Sequence, residues 1–259
     1  MPYRYPAGMT AELIDPLAAG FRLEGTNGEA VVLVHGFTGI PAHCRPLAAE
    51  LNRSGYTVIA PRLAGHGTSI EDLATTGADD WIASAREVAD QVADHRRIHL
   101  AGLSMGGLIS ILLAQTVAAT TVTAINGPVI VRNKKLYLTP VAHHFRPMVE
   151  WPESDAPDLD EEVRPYWMPY RGFPTRAASE LYSIMRKGVI AAWHLDRPSL
   201  VIQSRIDEAV DPRSADILRR LLGRRCRLMW LENSRHNALL DRERDAVARA
   251  VLERIGDPT

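Results

Sequence analysis

The sequence predicts an α/β fold in which helices flank a mainly parallel central sheet. Short apolar runs of strand length alternate along the chain with segments of helical periodicity, as in successive βαβ units. The run at 30–34 is apolar throughout and rich in valine, which is typical of a strand covered on both faces. A chain of 259 residues can bury the core that one such domain needs.

Taken in order, the predicted elements account for most of the chain. Strands are expected at residues 21–23, 30–34, 56–60, 97–101, 122–125, 199–203 and 227–231. Helices are expected at about 42–54, from Asp79 or Asp80 to about 94, and at 107–114, 177–193, 213–222 and 238–255. Because the strands are mainly parallel, the loops that follow them should share one edge of the sheet.

Composition excludes several classes of function. The formal net charge of −1 offers no basic field for nucleic acid or for an anionic membrane. No uninterrupted apolar run of about 18 residues predicts a membrane-spanning helix. Residues 1–20 lack the basic start and apolar run of a signal peptide. Two distant cysteines, Cys44 and Cys226, predict no disulfide framework, so a reducing cytoplasm is the expected location.

The alternation of strands and helices breaks off between residues 129 and 176. This segment holds seven prolines, seven aromatic residues and an acidic stretch at 155–162. A segment this long with little regular structure inside a compact domain is usually functional or mobile. We therefore expect residues 1–128 and 177–259 to form the core and residues 129–176 to form an inserted cap. The alternative is a solvated surface excursion.

The motif at the centre of the predicted fold is Gly102-Leu103-Ser104-Met105-Gly106, which matches the Gly-x-Ser-x-Gly pattern of a nucleophile elbow. A predicted strand precedes it and a predicted helix follows it, which is the context that this motif requires. On such a turn the serine hydroxyl stands at the top of the sheet, and the glycines let strand and helix pack closely. Ser104 is therefore the candidate nucleophile.

A serine nucleophile needs a base, and the base needs an orienting acid. In folds with this elbow, an acid and then a histidine follow the serine in sequence, each in a loop after a strand. Asp207 follows the sixth predicted strand and His236 follows the seventh, so both fit. Glu208 and Asp211 compete with Asp207 as the acid, although Asp211 precedes a proline and is placed to cap the next helix.

Acyl transfer also needs an oxyanion hole of two backbone N–H groups. Met105, directly after the nucleophile, is expected to supply one, and Phe37, in the loop after the second predicted strand, the other. His35 and His66 also follow predicted strands but precede Ser104, so we interpret them as residues that structure their loops.

Three further residues are candidates for substrate binding. Asn126 directly follows the strand predicted at 122–125, and Trp151 and Tyr170 are among the aromatic residues of the predicted cap. No Cys-x-x-Cys or other zinc-like spacing predicts a metal site.

Taken together, these motifs resemble those of bacterial carboxylesterases and monoacylglycerol lipases of the α/β-hydrolase fold. The most specific parts are Leu-Val-His-Gly-Phe-Thr-Gly-Ile-Pro at 33–41, Pro-Arg-Leu-Ala-Gly-His-Gly at 61–67, Asp-Trp at 80–81 and Gly-Leu-Ser-Met-Gly-Gly at 102–107. The resemblance runs nearly end to end. It implies the same triad and oxyanion residues, a small cap over an apolar acyl pocket, and no cofactor.

The chain departs from this family near the end of the predicted cap. Similar enzymes commonly carry a Tyr-acid-x-x-Pro run there, whereas this chain has Tyr170-Arg171-Gly172-Phe173-Pro174. In the monoacylglycerol lipases an acid in that region resembles part of the glycerol site, so Arg171 argues against glycerol-ester specificity. The predicted cap is also longer and richer in prolines and aromatic residues than is usual, and we expect it to shape a different acyl or alcohol site.

The sequence therefore predicts a serine hydrolase that cleaves carboxylic esters of small molecules through an acyl-enzyme intermediate. Two alternatives stay open. The same triad could act on a thioester, lactone or carbon–carbon bond, since a fold does not fix the reaction. The chain could also be a non-catalytic binding protein on the same scaffold. No nucleic-acid partner and no stable membrane insertion are expected.

Overall fold

Nine strands and eight α-helices form in the described part of the chain, which comprises residues 15–150, 158–168 and 170–258 of the computed structural model. The strands are β1 Phe21–Leu23, β2 Glu29–Val34, β3 Thr57–Ala60, β4 Arg97–Leu103, β5 Ala119–Ile125, β6 Met148–Glu150, β7 Gly172–Pro174, β8 Ser199–Ser204 and β9 Cys226–Leu231. The α-helices are α1 Arg45–Arg53, α2 Ile70–Thr75, α3 Ala78–Asp90, α4 Met105–Leu113, α5 Thr139–Ala142, α6 Thr175–His194, α7 Arg213–Leu222 and α8 Arg244–Gly256.

Seven of these strands form one sheet with the order β1-β3-β2-β4-β5-β8-β9. All neighbouring pairs are parallel except β1 with β3 at one edge. Each strand predicted from the sequence belongs to this sheet, so the predicted fold class is confirmed. The parallel arrangement brings the loops after β2, β4, β5, β8 and β9 to one edge of the sheet.

The sheet is covered on both faces, as the continuous apolar runs predicted. Alternate residues of β2 contribute to two separate cores, with Ala30, Val32 and Val34 in one and Val31 and Leu33 in the other. The first core is completed by side chains of α3, α4, α6 and α7, and the second by side chains of α1 and α8. This double cover holds the ends of the strands in fixed positions.

The start of the last helix differs from the prediction. The apolar pattern predicted a helix from about 238, but α8 begins at Arg244, so that boundary was wrong. Residues 238–243 instead hold the loop after β9. The carboxylate of Asp241 accepts a hydrogen bond from the Arg235 N–H at 2.6 Å, and that of Glu243 accepts one from the Asn233 N–H at 2.8 Å. These hydrogen bonds from backbone N–H groups of the preceding loop to carboxylate side chains replace the first turns of the expected helix.

The segment between β5 and α6 contains only short elements. The helix α5, the two-stranded antiparallel sheet of β6 and β7, and two 3₁₀ helices, Lys134–Leu138 and Arg164–Tyr166, are its described regular structure. Its beginning is fixed to the core where Val131 pairs with Val210. Elsewhere, no helix within the described ranges is both long and apolar enough to cross a bilayer.

Candidate active site

Ser104 lies on a strained turn between β4 and α4. Its φ of 55° and ψ of −122° are unusual for a residue with a side chain. The Ser104 N–H continues the ladder between β4 and β5 by donating to the Ile125 carbonyl at 2.7 Å. The helix starts at the next residue, so its unpaired N–H groups begin beside the serine hydroxyl.

The two glycines of the motif are required by close backbone approach. A Cβ atom on Gly102 would overlap the backbone of Gly106, and one on Gly106 would overlap the carbonyl of Val34. The chain can therefore turn directly from β4 into α4 only with glycine at both positions. Close packing of the strand on the helix is therefore the physical reason for the two glycines.

Backbone strain is concentrated at this edge of the sheet. The non-glycine residues with positive φ in the described part of the chain are Thr38, Ser104 and Asn126, at 56°, 55° and 50°. They follow β2, β4 and β5, which are neighbours in the sheet. Strained residues that persist in this way cluster at functional sites.

His236 is bound to Asp207 through its ring. The Nδ1 atom lies 2.8 Å from Asp207 Oδ2 and 3.0 Å from Oδ1. Burial of the ring disfavours its charged form, but the charge and the hydrogen bond of Asp207, together with the charge of Glu208, outweigh that effect. The pKa of His236 is therefore raised above its ordinary value of 6.5. The Nδ1–H bond leaves Nε2 as the atom that can take a proton.

The Asp207 carboxylate is fully buried and held by several donors. The N–H groups of Ala209 and Val210 donate to Oδ1, both at 2.8 Å, and Gln203 Nε2 donates to Oδ2 at 3.2 Å. Arg132 Nε donates to the Asp207 backbone carbonyl at 2.6 Å. Sequence reasoning missed Gln203 and Arg132. The signal for Gln203 was a polar residue at the end of an otherwise apolar strand; Arg132 gave none.

The two rival acids have other partners. Glu208 accepts a hydrogen bond from the backbone N–H of His236 at 3.0 Å. Asp211 accepts the N–H of Arg213, the first residue of α7, at 3.0 Å and pairs with its guanidinium at 2.7 Å. These bonds to Arg213 lower the pKa of Asp211 to about 2. Of the three acids weighed, Asp207 is the one bonded to the imidazole.

Ser104 and His236 lie in the loops that follow β4 and β9, at the same edge of the sheet. Within the described ranges, no hydrogen bond joins Ser104 Oγ to His236. In unliganded hydrolases this contact is often long and tightens when substrate binds. Ser104 and the Asp207–His236 pair thus lie at one edge of the sheet, and the hydrogen bond between Ser104 Oγ and the His236 ring is not formed in the described structure.

The predicted oxyanion residues flank the serine. A Cβ atom on Gly36 would lie 3.3 Å from the Ser104 Cβ, so the loop after β2 packs directly against the nucleophile. The ring of Phe37 packs against Trp81 and Phe173, with centroids at 5.9 and 5.7 Å. Among the described residues, the N–H groups of Phe37 and Met105 donate to no other group. Both remain available for an anion.

The side chain of His35 fixes the loop after β2, which contains Gly36 and Phe37. Its Nδ1–H donates to the Gly36 carbonyl at 2.9 Å, and its Nε2 accepts the Leu63 N–H at 3.2 Å. Acceptance at Nε2 needs the neutral ring, because both nitrogens of a protonated imidazole are donors. Burial, and then the charge of His66, lower the pKa of His35 to about 3. The interpretation of His35 as a residue that structures its loop is confirmed.

The three candidate substrate-binding residues have different placements. Asn126 is fully buried, and its amide is occupied by groups of the chain itself, which does not fit the predicted contact with substrate. The Tyr170 hydroxyl donates to the Gly65 carbonyl at 3.3 Å and accepts the Thr68 N–H at 3.2 Å, so it fastens the end of the insert to the core. Trp151 lies outside the described residues.

Across the residues that the structure describes, no cluster of three or more His, Cys, Asp or Glu side chains is arranged to hold a metal ion. The chemistry available at the site is that of a hydroxyl, an imidazole, a carboxylate and free backbone N–H groups.

A family model described as the alpha/beta hydrolase family matches residues 31–250. The chain belongs to the alpha/beta hydrolase family. The match covers the elbow, Asp207 and His236, and it confirms the fold that the sequence resemblance implied.

This alpha/beta hydrolase also has curated relatives over most of its length. It is 32% identical over 227 residues to a thermostable monoacylglycerol lipase of Bacillus sp. (strain H-257), which covers 86% of this chain and 88% of the relative. It is 29% identical over 228 residues to a carboxylesterase of Bacillus subtilis (strain 168), covering 87% and 91%. A structure from work on LipS and LipT, two metagenome-derived lipolytic enzymes, superposes with a TM-score of 0.84 at 28% identity, covering 93% of this chain and 99% of that one.

Proposed function

We propose that this protein hydrolyses carboxylic esters of small molecules, with Ser104 as nucleophile, His236 as general base and Asp207 as orienting acid. The observation that carries the proposal is the Asp207–His236 hydrogen bond at the same edge of the sheet as the strained turn of Ser104. The relatives named carboxylesterase and monoacylglycerol lipase support the choice of ester substrates. An oxygen ester also suits the chemistry of the site, which needs no further cofactor.

In the first half of the reaction, His236 Nε2 takes the proton of the Ser104 hydroxyl as its oxygen attacks the ester carbonyl. The C–O bond that forms places negative charge on the former carbonyl oxygen. Asp207 holds the ring in the Nδ1–H tautomer and stabilises the imidazolium that results. Collapse of the intermediate breaks the bond to the leaving alcohol, which takes the proton back from Nε2.

The oxyanion is stabilised by the N–H groups of Phe37 and Met105. Both are fixed before substrate arrives, since Gly36 packs on Ser104 and Met105 starts α4. Preorganised donors of this kind cost no reorganisation during the reaction. In the second half, His236 takes a proton from water as the water oxygen attacks the acyl carbon. The bond to Ser104 Oγ then breaks, His236 returns the proton to Oγ, and the acid product leaves.

We propose that residues 129–176 form a cap over this site. Phe173 reaches the Phe37 ring at the oxyanion loop, and Trp167 stacks on His43 at 5.8 Å. Arg244, next to the histidine loop, pairs with Asp160 of the segment. The segment thus contacts the core on both sides of the catalytic edge. Such a cover would supply an apolar surface for the acyl chain.

We further propose that the protein acts in the cytoplasm. Cys44 and Cys226 are both buried free thiols, as expected for a protein of a reducing compartment.

The proposal is tested with p-nitrophenyl esters of increasing acyl length. We expect the wild type to hydrolyse them, with the preferred length reporting the size of the acyl site. Ser104→Ala should lose about 10⁴-fold or more in kcat. Ser110→Ala is the matched control, because Ser110 is a buried serine of α4, the helix that follows Ser104, and its hydroxyl donates to the Gly106 carbonyl. Equal activity of Ser104→Ala and the wild type would refute the proposal, and activity confined to thioesters or lactones would reassign the bond.

A further inference from the structure

The amide of Asn126 connects three loops of the catalytic edge. Its side chain is fully buried at the end of β5. Its Nδ2 group donates to the His236 carbonyl at 2.7 Å and to Ser204 Oγ at 3.1 Å. Its Oδ1 atom accepts the Ser204 N–H at 2.8 Å. The ends of β5 and β8 and the histidine loop therefore meet at one side chain.

These bonds complete a set of three contacts on His236. Asp207 holds the ring at Nδ1, Glu208 accepts the backbone N–H at 3.0 Å, and Asn126 donates to the backbone carbonyl. Ser204 adds to the same support, since its hydroxyl donates to the Arg235 carbonyl at 3.0 Å. With both peptide groups of a residue fixed, its side chain leaves the backbone in one direction. The position of Nε2, which takes the Ser104 proton in the proposed reaction, depends on that direction.

An amide is the side chain that satisfies these partners. It donates to a carbonyl oxygen and accepts from a peptide N–H at the same time, which neither a carboxylate nor an apolar group can do. The backbone φ of 50° does not by itself call for asparagine, because glycine adopts that conformation at less cost. The side chain is therefore needed for its bonds, while the strained backbone is tolerated.

We propose that Asn126 is a positioning residue that aims His236 at Ser104, an inference that rests on the function proposed above. It touches no substrate atom. Loss of its amide frees the peptide between His236 and Asn237, changes the direction in which the ring points and loosens the bond to Asp207. A displacement of about 1 Å at such a contact is enough to lower a rate about 100-fold.

The test uses Asn126→Gly, which keeps the backbone conformation and removes only the amide. Asn126→Asp is the second variant, since it keeps the volume and the acceptor but places an oxygen against the His236 carbonyl. Thr121→Val is the matched control, because Thr121 is a buried polar residue at the opposite end of the same strand. Rates of p-nitrophenyl ester hydrolysis are divided by the number of sites titrated with a serine-reactive phosphonate, so unfolded protein does not enter kcat.

We expect both Asn126 variants to lose about 10- to 100-fold in kcat per titrated site, with KM within about twofold of the wild type. The midpoint of the pH profile should fall toward 6.5, because a looser Asp207 contact raises the pKa of His236 less. Thr121→Val should keep both kcat and midpoint. Unchanged kcat and midpoint in a folded Asn126 variant would overturn the inference, as would a rise in KM alone, which indicates substrate contact. A wild type inactive on every ester would overturn the proposed function instead, and the inference with it.

Discussion

Two groups of three residues, each with a carboxylate, a histidine and a hydroxyl, lie at opposite ends of the same sheet. At the end where the parallel strands finish, Asp207 bonds His236, and Ser104 lies on the turn after β4 at the same edge of the sheet. At the end where they start, Glu29 Oε2 lies 3.2 Å from His99 Nε2, and His99 Nδ1 lies 2.9 Å from Thr121 Oγ1. In this second group both hydrogen bonds between the three residues are formed, yet its surroundings oppose catalysis.

The charge environment separates the two histidines. The donors to the Asp207 carboxylate are neutral groups of Gln203, Ala209 and Val210, and its charge raises the pKa of the His236 ring. Glu29 also pairs with Arg96 at 2.6 Å. Burial, with the charge of Arg97, lowers the pKa of His99 despite the bond to Glu29. A histidine that resists protonation in this way is a poor general base.

The backbone separates the two hydroxyls. Thr121 lies within β5 and is paired in the ladder with His99, so its surroundings are strand and core. Ser104 stands on a strained turn beside two free N–H groups and the start of α4. Hydrogen bonding among three residue types therefore does not make a catalytic site. In the function proposed above, the strained turn, the free N–H groups and the unshared carboxylate charge distinguish the site at Ser104.

The largest effect expected from this comparison comes from exchanging each carboxylate for its amide. Asp207→Asn should lower kcat by about 10⁴-fold, because the amide favours the wrong tautomer of His236. Glu29→Gln should leave kcat within about twofold and lower Tm, because a buried charge network loses one partner. Ester hydrolysis and thermal unfolding of both variants check this. A large loss of kcat in a Glu29→Gln variant that folds normally would contradict the assignment of the catalytic role to Asp207 and not to Glu29.

A smaller effect is expected in the titration of the two rings. The kcat/KM of the wild type should rise with pH through a midpoint above 6.5, because His236 must be neutral to accept the serine proton. Glu208→Gln should shift this midpoint slightly downward, since the charge of Glu208 helps to raise that pKa. The His99 ring should titrate below 6.5 by NMR. A midpoint below 6.5 for activity, with His99 titrating above it, would reverse the assignment.

The fold and the three triad candidates could be predicted because each depends on local sequence. Continuous apolar runs such as 30–34 mark buried parallel strands, and the spacing of Gly102 and Gly106 marks the elbow. The order of Ser104, Asp207 and His236 with respect to those strands then restricts the choice of acid and base.

The supporting contacts could not be predicted, because they join residues far apart in sequence. Arg132 and Asp207 are 75 residues apart, and Asn126 and His236 are 110 apart. Nothing in the local sequence of Asn126 distinguishes a bond to the histidine loop from a bond to substrate. The hydrogen bonds that join Glu29, His99 and Thr121 likewise depend on the alignment of β2, β4 and β5 in the sheet.

The central claim is that Ser104 is the reactive hydroxyl, and covalent labelling tests it most directly. The wild type, Ser104→Ala and Thr121→Val are incubated with a serine-reactive phosphonate. Intact-mass spectrometry then counts the adducts, and peptide mapping locates them. We expect one adduct on Ser104 in the wild type and in Thr121→Val, and none in Ser104→Ala. A folded wild type that takes no label, or an adduct that persists in Ser104→Ala, would contradict the account.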